Sequence, residues 1–179
     1  MSATGPVLSR RHGEPSEGWL VVWAAFACLA VLFGVAYSFA AFFRSFATEF
    51  AVDRADVSLV FGLSGLLYFL LGAPAGMLAD RFGPRAVCTA GMLCIAAGLL
   101  ASSVAPSMPW IYAAWGAGLG VGIGLAYAPS IASVPPWFVE RRAFAAGIAS
   151  TGIGVGTLAL PLVATAAIDA VGWRHALQA

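Results

Sequence analysis

The sequence predicts an all-α membrane protein: a bundle of five transmembrane helices followed by the start of a sixth. Hydrophobic residues make up 61% of the 179 residues and charged residues only 9%, whereas about a quarter of the residues of a soluble domain are charged. The mean hydropathy is +0.91. The charges are clustered, which leaves intervals long enough for the roughly 20 apolar residues that cross a bilayer. Because a segment in lipid must satisfy its own backbone hydrogen bonds, these intervals are predicted to be helices.

The spans follow from the intervals that contain no charged residue, which are 18–43, 57–79, 86–139 and 143–168. The third interval is long enough for two helices, and the polar, proline-bearing stretch 101–109 is predicted to be the turn between them. We therefore expect an N-terminal tail at 1–18 and a partial transmembrane domain at 19–179, with helices at about 19–43, 57–79, 86–104, 109–134 and 143–168. A turn follows residue 169, and a sixth helix can begin there.

The placement of the arginines predicts that the N-terminus lies in the cytoplasm. Short cytoplasmic loops of membrane proteins collect arginine and lysine, and this chain contains no lysine. In this orientation Arg44, Arg54 and Arg174 face outward, and the larger group faces the cytoplasm: Arg10, Arg11, Arg81, Arg85, Arg141 and Arg142. Arg141 and Arg142 then belong to a cytoplasmic loop. We expect a multi-pass protein of the plasma (inner) membrane.

Charge and cysteine usage argue against several other classes of function. The nine arginines are nearly balanced by eight acids, so nothing points to nucleic acid as a partner. Cys28, Cys88 and Cys94 fall in apolar runs without a Cys-x-x-Cys motif or a nearby histidine, and are predicted to be reduced thiols that pack as small hydrophobic groups. We expect no metal, no cofactor and no catalytic residue, because an embedded enzyme needs acids, histidines or a metal cluster near the spans.

Glycines recur every four residues on three of the predicted helices. They are Gly72 and Gly76 on the second, Gly116, Gly120 and Gly124 on the fourth, and Gly152 and Gly156 on the fifth. Small residues at this spacing let helix backbones approach each other closely in a bilayer. The spacing therefore predicts helices that pack tightly at these faces and can slide or rock against each other.

The segment 76–85 has the most specific pattern in the chain. It places three charges, two glycines and a proline between two charge-free runs. Its order, Gly-x-Leu-Ala-Asp-Arg-x-Gly-x-Arg, resembles the signature of the major facilitator superfamily, and this implies the N-terminal helical bundle of a major facilitator fold. The resemblance also implies a latch that controls conformation, formed by Gly76, Asp80, Arg81, Gly83 and Arg85. Gly76 is expected to admit a neighbouring helix, and Asp80 to stabilise the positive end of that helix.

A second resemblance indicates a particular branch of this superfamily. The segments 120–129, 137–142, 146–149 and 172–174 look like the fourth-to-sixth-helix region of monocarboxylate porters and oxalate/formate exchangers. This resemblance implies a small-molecule substrate, an organic anion such as a monocarboxylate.

The sequence departs from that branch at Ala41, where well-studied animal monocarboxylate porters carry a lysine. Arg44 lies seven residues after Tyr37, on the same helix face, and can supply a charge near the outer mouth. The alternative is an ordinary helix-end arginine that extends to the membrane interface.

Hydroxyl groups are the remaining candidates for a substrate pathway, because no ionisable Asp, Glu, His, Lys or Arg lies inside a predicted span. The first and fourth helices line the central pathway in this superfamily, which singles out Tyr37, Ser38, Tyr127 and Ser130. Structural packing explains each of these four residues equally well.

The expected function is secondary active transport by alternating access. We expect the chain to be a fragment that lies in the lipid bilayer with a missing C-terminal half as its partner. The alternative is a small non-transporting membrane protein, or a decayed transporter half, that assembles with a partner.

Overall fold

The computed structural model describes residues 16–178, which form a bundle of long helices. In chain order the elements are α1 (Ser16–Glu49), α2 (Arg54–Phe82), α3 (Pro84–Ser103), α4 (Met108–Ile111), a π-helical segment (Tyr112–Ala117), α5 (Gly118–Ala132), a 3₁₀ turn (Pro135–Trp137), α6 (Arg142–Val171) and α7 (Trp173–Ala176). Within residues 16–178, five stretches are long and apolar enough to cross a membrane. The fourth of them, Met108–Trp137, runs from α4 through the π-helical segment and α5 to the 3₁₀ turn. The predicted all-α fold with five transmembrane helices is confirmed.

The helices are longer than the predicted spans, because they continue beyond the charged residues that were used to define the ends of those spans. α1 ends at Glu49 rather than near residue 43, and α2 ends at Phe82 rather than near residue 79. A charged side chain near a helix end can reach water while its backbone stays helical, so a charge marks the edge of the apolar run and not the end of the helix. Most of the predicted tail at 1–18, with Arg10 and Arg11, lies outside the described residues.

Several glycines lie at close contacts between helices. A Cβ atom on Gly156 of α6 would overlap the carbonyl oxygen of Ala30 on α1. On α5, a Cβ atom on Gly120 would lie 2.8 Å from the carbonyl oxygen of Ser64 on α2, and one on Gly122 would lie 2.7 Å from a carbonyl oxygen of α3. α5 therefore packs against both α2 and α3, while α6 packs against α1, as small residues at helix contacts allow.

The glycine pair on α2 does not make such a contact. A Cβ atom on Gly72 or Gly76 would have no neighbour within 4 Å among residues 16–178. The predicted approach of a helix to Gly76 is therefore not made by any helix in the described part of the chain. Glycine is frequent in transmembrane helices in general, so its spacing alone did not identify the contacting faces.

A cluster of large buried side chains lies where α1 meets the π-helical segment. Trp115 is 2% exposed, and its ring centroid lies 5.6 Å from that of Phe39, 5.2 Å from that of Phe42 and 5.8 Å from that of Phe46. These three phenylalanines share one face of α1, because residues three, four and seven apart lie on the same side of a helix. α1 is therefore held on one side by this aromatic core and on the other by the glycines of α6.

Successive spans alternate in direction, so that the connections gather at two ends of the bundle. At one end, called the inner end below, Glu17, Asp80, Arg85 and Trp137 line a common cavity. At the outer end, Arg174 contacts the end of α1 and the turn after α3. The alternation agrees with five crossings, and the assignment of the inner end to the cytoplasm stays a prediction from the arginines.

Candidate functional site

The hinge predicted at 76–85 is a one-residue break between two helices. Asp80 and Arg81 belong to the last turn of α2, and Pro84 is the first residue of α3. Gly83 between them has a φ of 86° and a ψ of 146°, a conformation that favours glycine. A proline at the first helical position has the φ that the helix needs and lacks an N–H that would have no helical partner. Together Gly83 and Pro84 turn the chain directly from α2 into α3.

The charged side chains of this junction, those of Asp80, Arg81 and Arg85, are all exposed. Within residues 16–178 none of the three forms a salt bridge. No side-chain hydrogen bond caps α3, so Asp80 does not act as its cap. The carboxylate of Asp80 lies at the C-terminal end of α2, where the helix dipole favours positive charge. Helix stability therefore does not explain an acid at this position.

An inner cavity of about 830 Å³ lies beside the junction. Asp80 and Arg85 line it, together with Glu17 of α1, Cys88 of α3 and Ser130 of α5. The cavity thus brings two of the three charged residues of the motif together with a thiol and one of the predicted pathway hydroxyls. Their separation in the sequence gave no sign of this grouping.

The four predicted pathway residues lie in different environments. Tyr37 is 47% exposed, and Tyr127 is half-buried. Ser38 and Ser130 are buried, and their hydroxyls donate to carbonyl oxygens four residues earlier, at 2.7 and 2.6 Å. A serine bonded back to its own helix already uses its only donor. The two tyrosines are therefore better placed than the two serines to contact a substrate.

Tyr68 is a candidate that the sequence reasoning missed. Its ring centroid lies 5.4 Å from that of Tyr127 and 6.3 Å from that of Phe33, and the centroids of Phe33 and Tyr127 are 5.4 Å apart. All three side chains are half-buried, so α1, α2 and α5 meet at an aromatic cluster with two phenol groups. The restriction to the first and fourth helices excluded Tyr68, although tyrosine occurs only four times in the chain.

Arg141 and Arg142 lie at the start of α6, close to the 3₁₀ turn. Arg141 is the N-cap residue of α6, and its carbonyl oxygen accepts a hydrogen bond from the N–H of Ala145 at 2.9 Å. The Nε atom of Arg142 donates to the carbonyl oxygen of Phe138 at 2.7 Å. The side chain of Arg142 therefore connects the loop before α6 to α6 itself.

Arg44 lines a second cavity, of about 490 Å³, at the outer end. Ala41, at the position where the resembled branch carries a lysine, lines it too, as do Glu49 and Asp169. Glu49 forms an ion pair with Arg174, and the charge of Asp169 offsets that of Arg44. The cavity therefore has no net positive charge that would attract an anion.

Three residues, Glu49, Trp173 and Arg174, form what we call the outer clasp. Arg174 Nη2 donates to the Glu49 carboxylate at 2.7 Å, and its guanidinium also donates to the carbonyl oxygens of Ser103 at 2.8 Å and Ala105 at 2.9 Å. The Trp173 indole N–H donates to the other carboxylate oxygen of Glu49. The clasp joins α1, the turn after α3 and α7. Arg174 was predicted only as an outward-facing arginine, and its pairing with Glu49 was not predicted because 125 positions separate the two residues.

Replacing Arg174 with alanine is expected to lower the melting temperature of the protein. Hydrogen bonds to a charged group each contribute about 1.5–3 kcal/mol when buried, but the Arg174 side chain is 37% exposed, so we expect a total loss of about 2 kcal/mol. The measurement is thermal loss of the monodisperse peak in size-exclusion chromatography. Arg54→Ala, which removes an exposed arginine at the start of α2, is the control. Equal melting temperatures for Arg174→Ala and Arg54→Ala would contradict a stabilising clasp.

Comparison with known proteins identifies the family. The sequence model of the Major Facilitator Superfamily matches residues 15–178. Monocarboxylate transporter 13 of Rattus norvegicus is 35% identical over 168 residues, which are 92% of this chain and 39% of that protein. Monocarboxylate transporter 12-B of Danio rerio is 32% identical over 160 residues, 89% of this chain and 34% of that protein. Fujikurins efflux protein of Gibberella fujikuroi is 30% identical over 172 residues, 93% of this chain and 37% of that protein.

The chain thus spans less than half the length of the curated relatives it matches. The family match covers every described residue, and these residues include five apolar spans, so this is a multi-pass integral membrane protein. The chain belongs to the major facilitator superfamily.

Proposed function

We propose that this chain forms the N-terminal half of a secondary transporter that moves a small organic anion, such as a monocarboxylate, by alternating access. In such a protein two halves rock around a site near the bilayer midplane. Membership of the superfamily supports the transport mechanism. The names of the relatives, several of which are monocarboxylate transporters, support the class of substrate.

The charged junction between α2 and α3 is the observation that carries this proposal. Asp80 and Arg85 are exposed at the inner end of the bundle, and neither has an ion-pair partner in the described part of the chain. Charges that do not stabilise their own helices are explained by a surface that they contact in one state of a transport cycle. We assign conformational control to Gly76, Asp80, Arg81, Gly83 and Arg85, with the missing C-terminal half as the opposing surface.

The substrate pathway is assigned to the exposed and half-buried tyrosines of the bundle. Tyr37, Tyr68 and Tyr127 carry phenol groups that can donate hydrogen bonds to a carboxylate. Arg44 shares its cavity with Asp169, so we do not assign it as the main anion anchor. The charge of the substrate is then bound chiefly by the C-terminal half. The protein lies in the plasma (inner) membrane with its N-terminus in the cytoplasm.

Uptake by the complete transporter that carries this chain tests the proposal. The purified protein is reconstituted in liposomes and supplied with radiolabelled lactate, pyruvate, formate or oxalate, with glucose and the neutral amide lactamide as controls. We expect uptake of at least one carboxylate and no uptake of the two neutral compounds. Uptake of glucose but of no carboxylate would refute the organic-anion assignment, and the absence of all uptake by well-folded protein would refute transport.

A further inference from the structure

Two thiols flank one hydroxyl group between α1, α3 and α5, and a thioether lies beside one of the thiols. The Sγ atom of Cys28 lies 3.9 Å from the Sδ atom of Met92. The Oγ atom of Ser130 lies 3.2 Å from Cys28 Sγ and 3.4 Å from Cys88 Sγ. Cys88 and Met92 are one turn apart on α3 and therefore project from the same face. We call these three sulfur-bearing residues the sulfur cluster.

The two thiols of the sulfur cluster are accessible from the inner end of the bundle. Cys28, Cys88 and Ser130 all line the inner cavity, and so does Arg85. The Ser130 hydroxyl donates to the carbonyl oxygen of Ala126 at 2.6 Å, which holds its oxygen between the two thiols. Cys28 and Cys88 are only partly buried, so an ion that enters the cavity can reach them.

We propose that Cys28, Cys88 and Met92 form a binding site for a soft monovalent metal ion, for which Cu(I) is the probe. Thiolate and thioether ligands select Cu(I) over hard cations. Two sulfur ligands about 2.3 Å from one metal ion and about 120° apart lie about 4 Å from each other. Cys28 Sγ and Met92 Sδ already have this separation, at 3.9 Å.

The number of ligands favours Cu(I) over Zn²⁺. Structural zinc sites are almost always four-coordinate, and this cluster offers three sulfur atoms beside a hydroxyl whose proton is directed to a backbone carbonyl. Among the described residues no group of three or more His, Cys, Asp and Glu side chains could hold a metal ion. The proposed site therefore depends on the thioether of Met92, which is not among the usual zinc ligands Cys, His, Asp and Glu.

Metal binding at this site releases protons and involves no redox step. Each thiol loses its proton to solvent, the ion forms bonds to two thiolates and one thioether, and its oxidation state does not change. The complex of Cu(I) with two thiolates carries one negative charge, which the guanidinium of Arg85 in the same cavity partly offsets. Once Cys28 is a thiolate, the Ser130 hydroxyl can donate to its Sγ atom, 3.2 Å away, in place of the Ala126 carbonyl oxygen. Ser130 then acts as an outer partner that orients a metal ligand. The site does not depend on the proposed transport function.

The test is a Cu(I) titration of the protein that carries this chain, purified in lipid nanodiscs without oxygen. The ion is supplied as its bicinchoninate complex, and loss of the colour of that complex reports transfer to the protein. We expect Cys28→Ser and Cys88→Ser to weaken binding by more than about 100-fold, and Ser130→Ala by about 10-fold, because losing an outer partner alone costs about 10- to 100-fold. Met92→Leu, which nearly preserves volume, is expected to weaken binding by at least about 10-fold.

Cys94→Ser is the matched control. Cys94 is also a half-buried cysteine of α3, but its Sγ atom contacts the carbonyl oxygen of Gly118 at 3.3 Å instead of the sulfur cluster. Wild-type affinity in Cys94→Ser, with losses in the cluster variants, supports the site. Unchanged Cu(I) affinity in Cys88→Ser or Met92→Leu, or tighter binding of Zn²⁺ than of Cu(I), overturns it. Melting temperatures without metal separate a lost site from a lost fold, and Met92→Leu keeps the test decisive if a serine variant does not fold.

Discussion

Replacing Gly156 with leucine is expected to prevent the bundle from folding stably. A Cβ atom at this position would overlap the carbonyl oxygen of Ala30 on α1. That oxygen is part of a helix backbone and cannot move as a flexible side chain can. Overpacking a core costs about 1–3 kcal/mol and occasionally more, and we expect more than about 3 kcal/mol here because α1 and α6 must separate along their length. The measurement is the melting temperature and the yield of monodisperse protein.

Gly154→Leu is the control for this experiment, two residues away on the same helix. A Cβ atom on Gly154 would have no neighbour within 4 Å in the described residues. We expect a stability within about 0.5 kcal/mol of the wild type, as for most exposed substitutions. If Gly154→Leu and Gly156→Leu have equal melting temperatures, the close contact of α1 with α6 is not a determinant of stability.

Replacing Asp80 with asparagine is expected to slow transport and to change the balance between inward-open and outward-open states of the complete transporter. Asparagine has the size of aspartate and lacks its charge, so it tests the carboxylate alone. Hydrogen bonds to a charged group contribute about 1.5–3 kcal/mol, and losing that much from one state changes the ratio of states by about 10- to 150-fold. The readout is labelling of Tyr37→Cys, in a protein whose other cysteines are replaced by serine, by a membrane-impermeant maleimide added from each side.

The control for Asp80 is Asp53→Asn, at the opposite end of α2. Asp53 is the N-cap residue of α2 and makes no side-chain cap hydrogen bond, so we expect a transport rate and a labelling pattern like those of the wild type. Unchanged uptake and unchanged labelling in Asp80→Asn would refute the latch. Uptake that falls while the labelling pattern stays the same would place Asp80 in the transport step and not in conformational control.

The fold class and the five spans could be predicted because the bilayer imposes simple rules on a sequence. A crossing helix needs about 20 apolar residues, and charges are excluded from its centre, so the charge-free intervals show where helices lie. The helix ends were less well predicted. Asp80, Arg81 and Glu49 continue their helices, because a charge near the membrane edge is hydrated without breaking backbone hydrogen bonds.

The candidate sites were predicted only where they are local in the sequence. Gly83 and Pro84 form a turn that involves neighbouring residues alone, so the pattern of 76–85 located it correctly. The outer clasp joins Glu49 to Arg174 across 125 positions, and no spacing rule indicates such a pair. Tyr68 was not predicted for the same reason: it is distant from Tyr127 in the sequence and contacts it only because α2 packs against α5.

Local residue patterns were enough to predict the five apolar spans, the turn between α2 and α3, and the resemblance to a transporter family. Apolar length, backbone conformation and charge spacing are all properties of short segments, so they can be recognised in the sequence. Tertiary structure alone decided which glycines make contacts, which hydroxyls are already bonded and which side chains share a cavity. From the sequence, Cys28 and Cys88 were predicted to be unrelated thiols that pack as small hydrophobic groups. They become neighbours of Met92 and Ser130 because the packing of α1, α3 and α5 places their faces together.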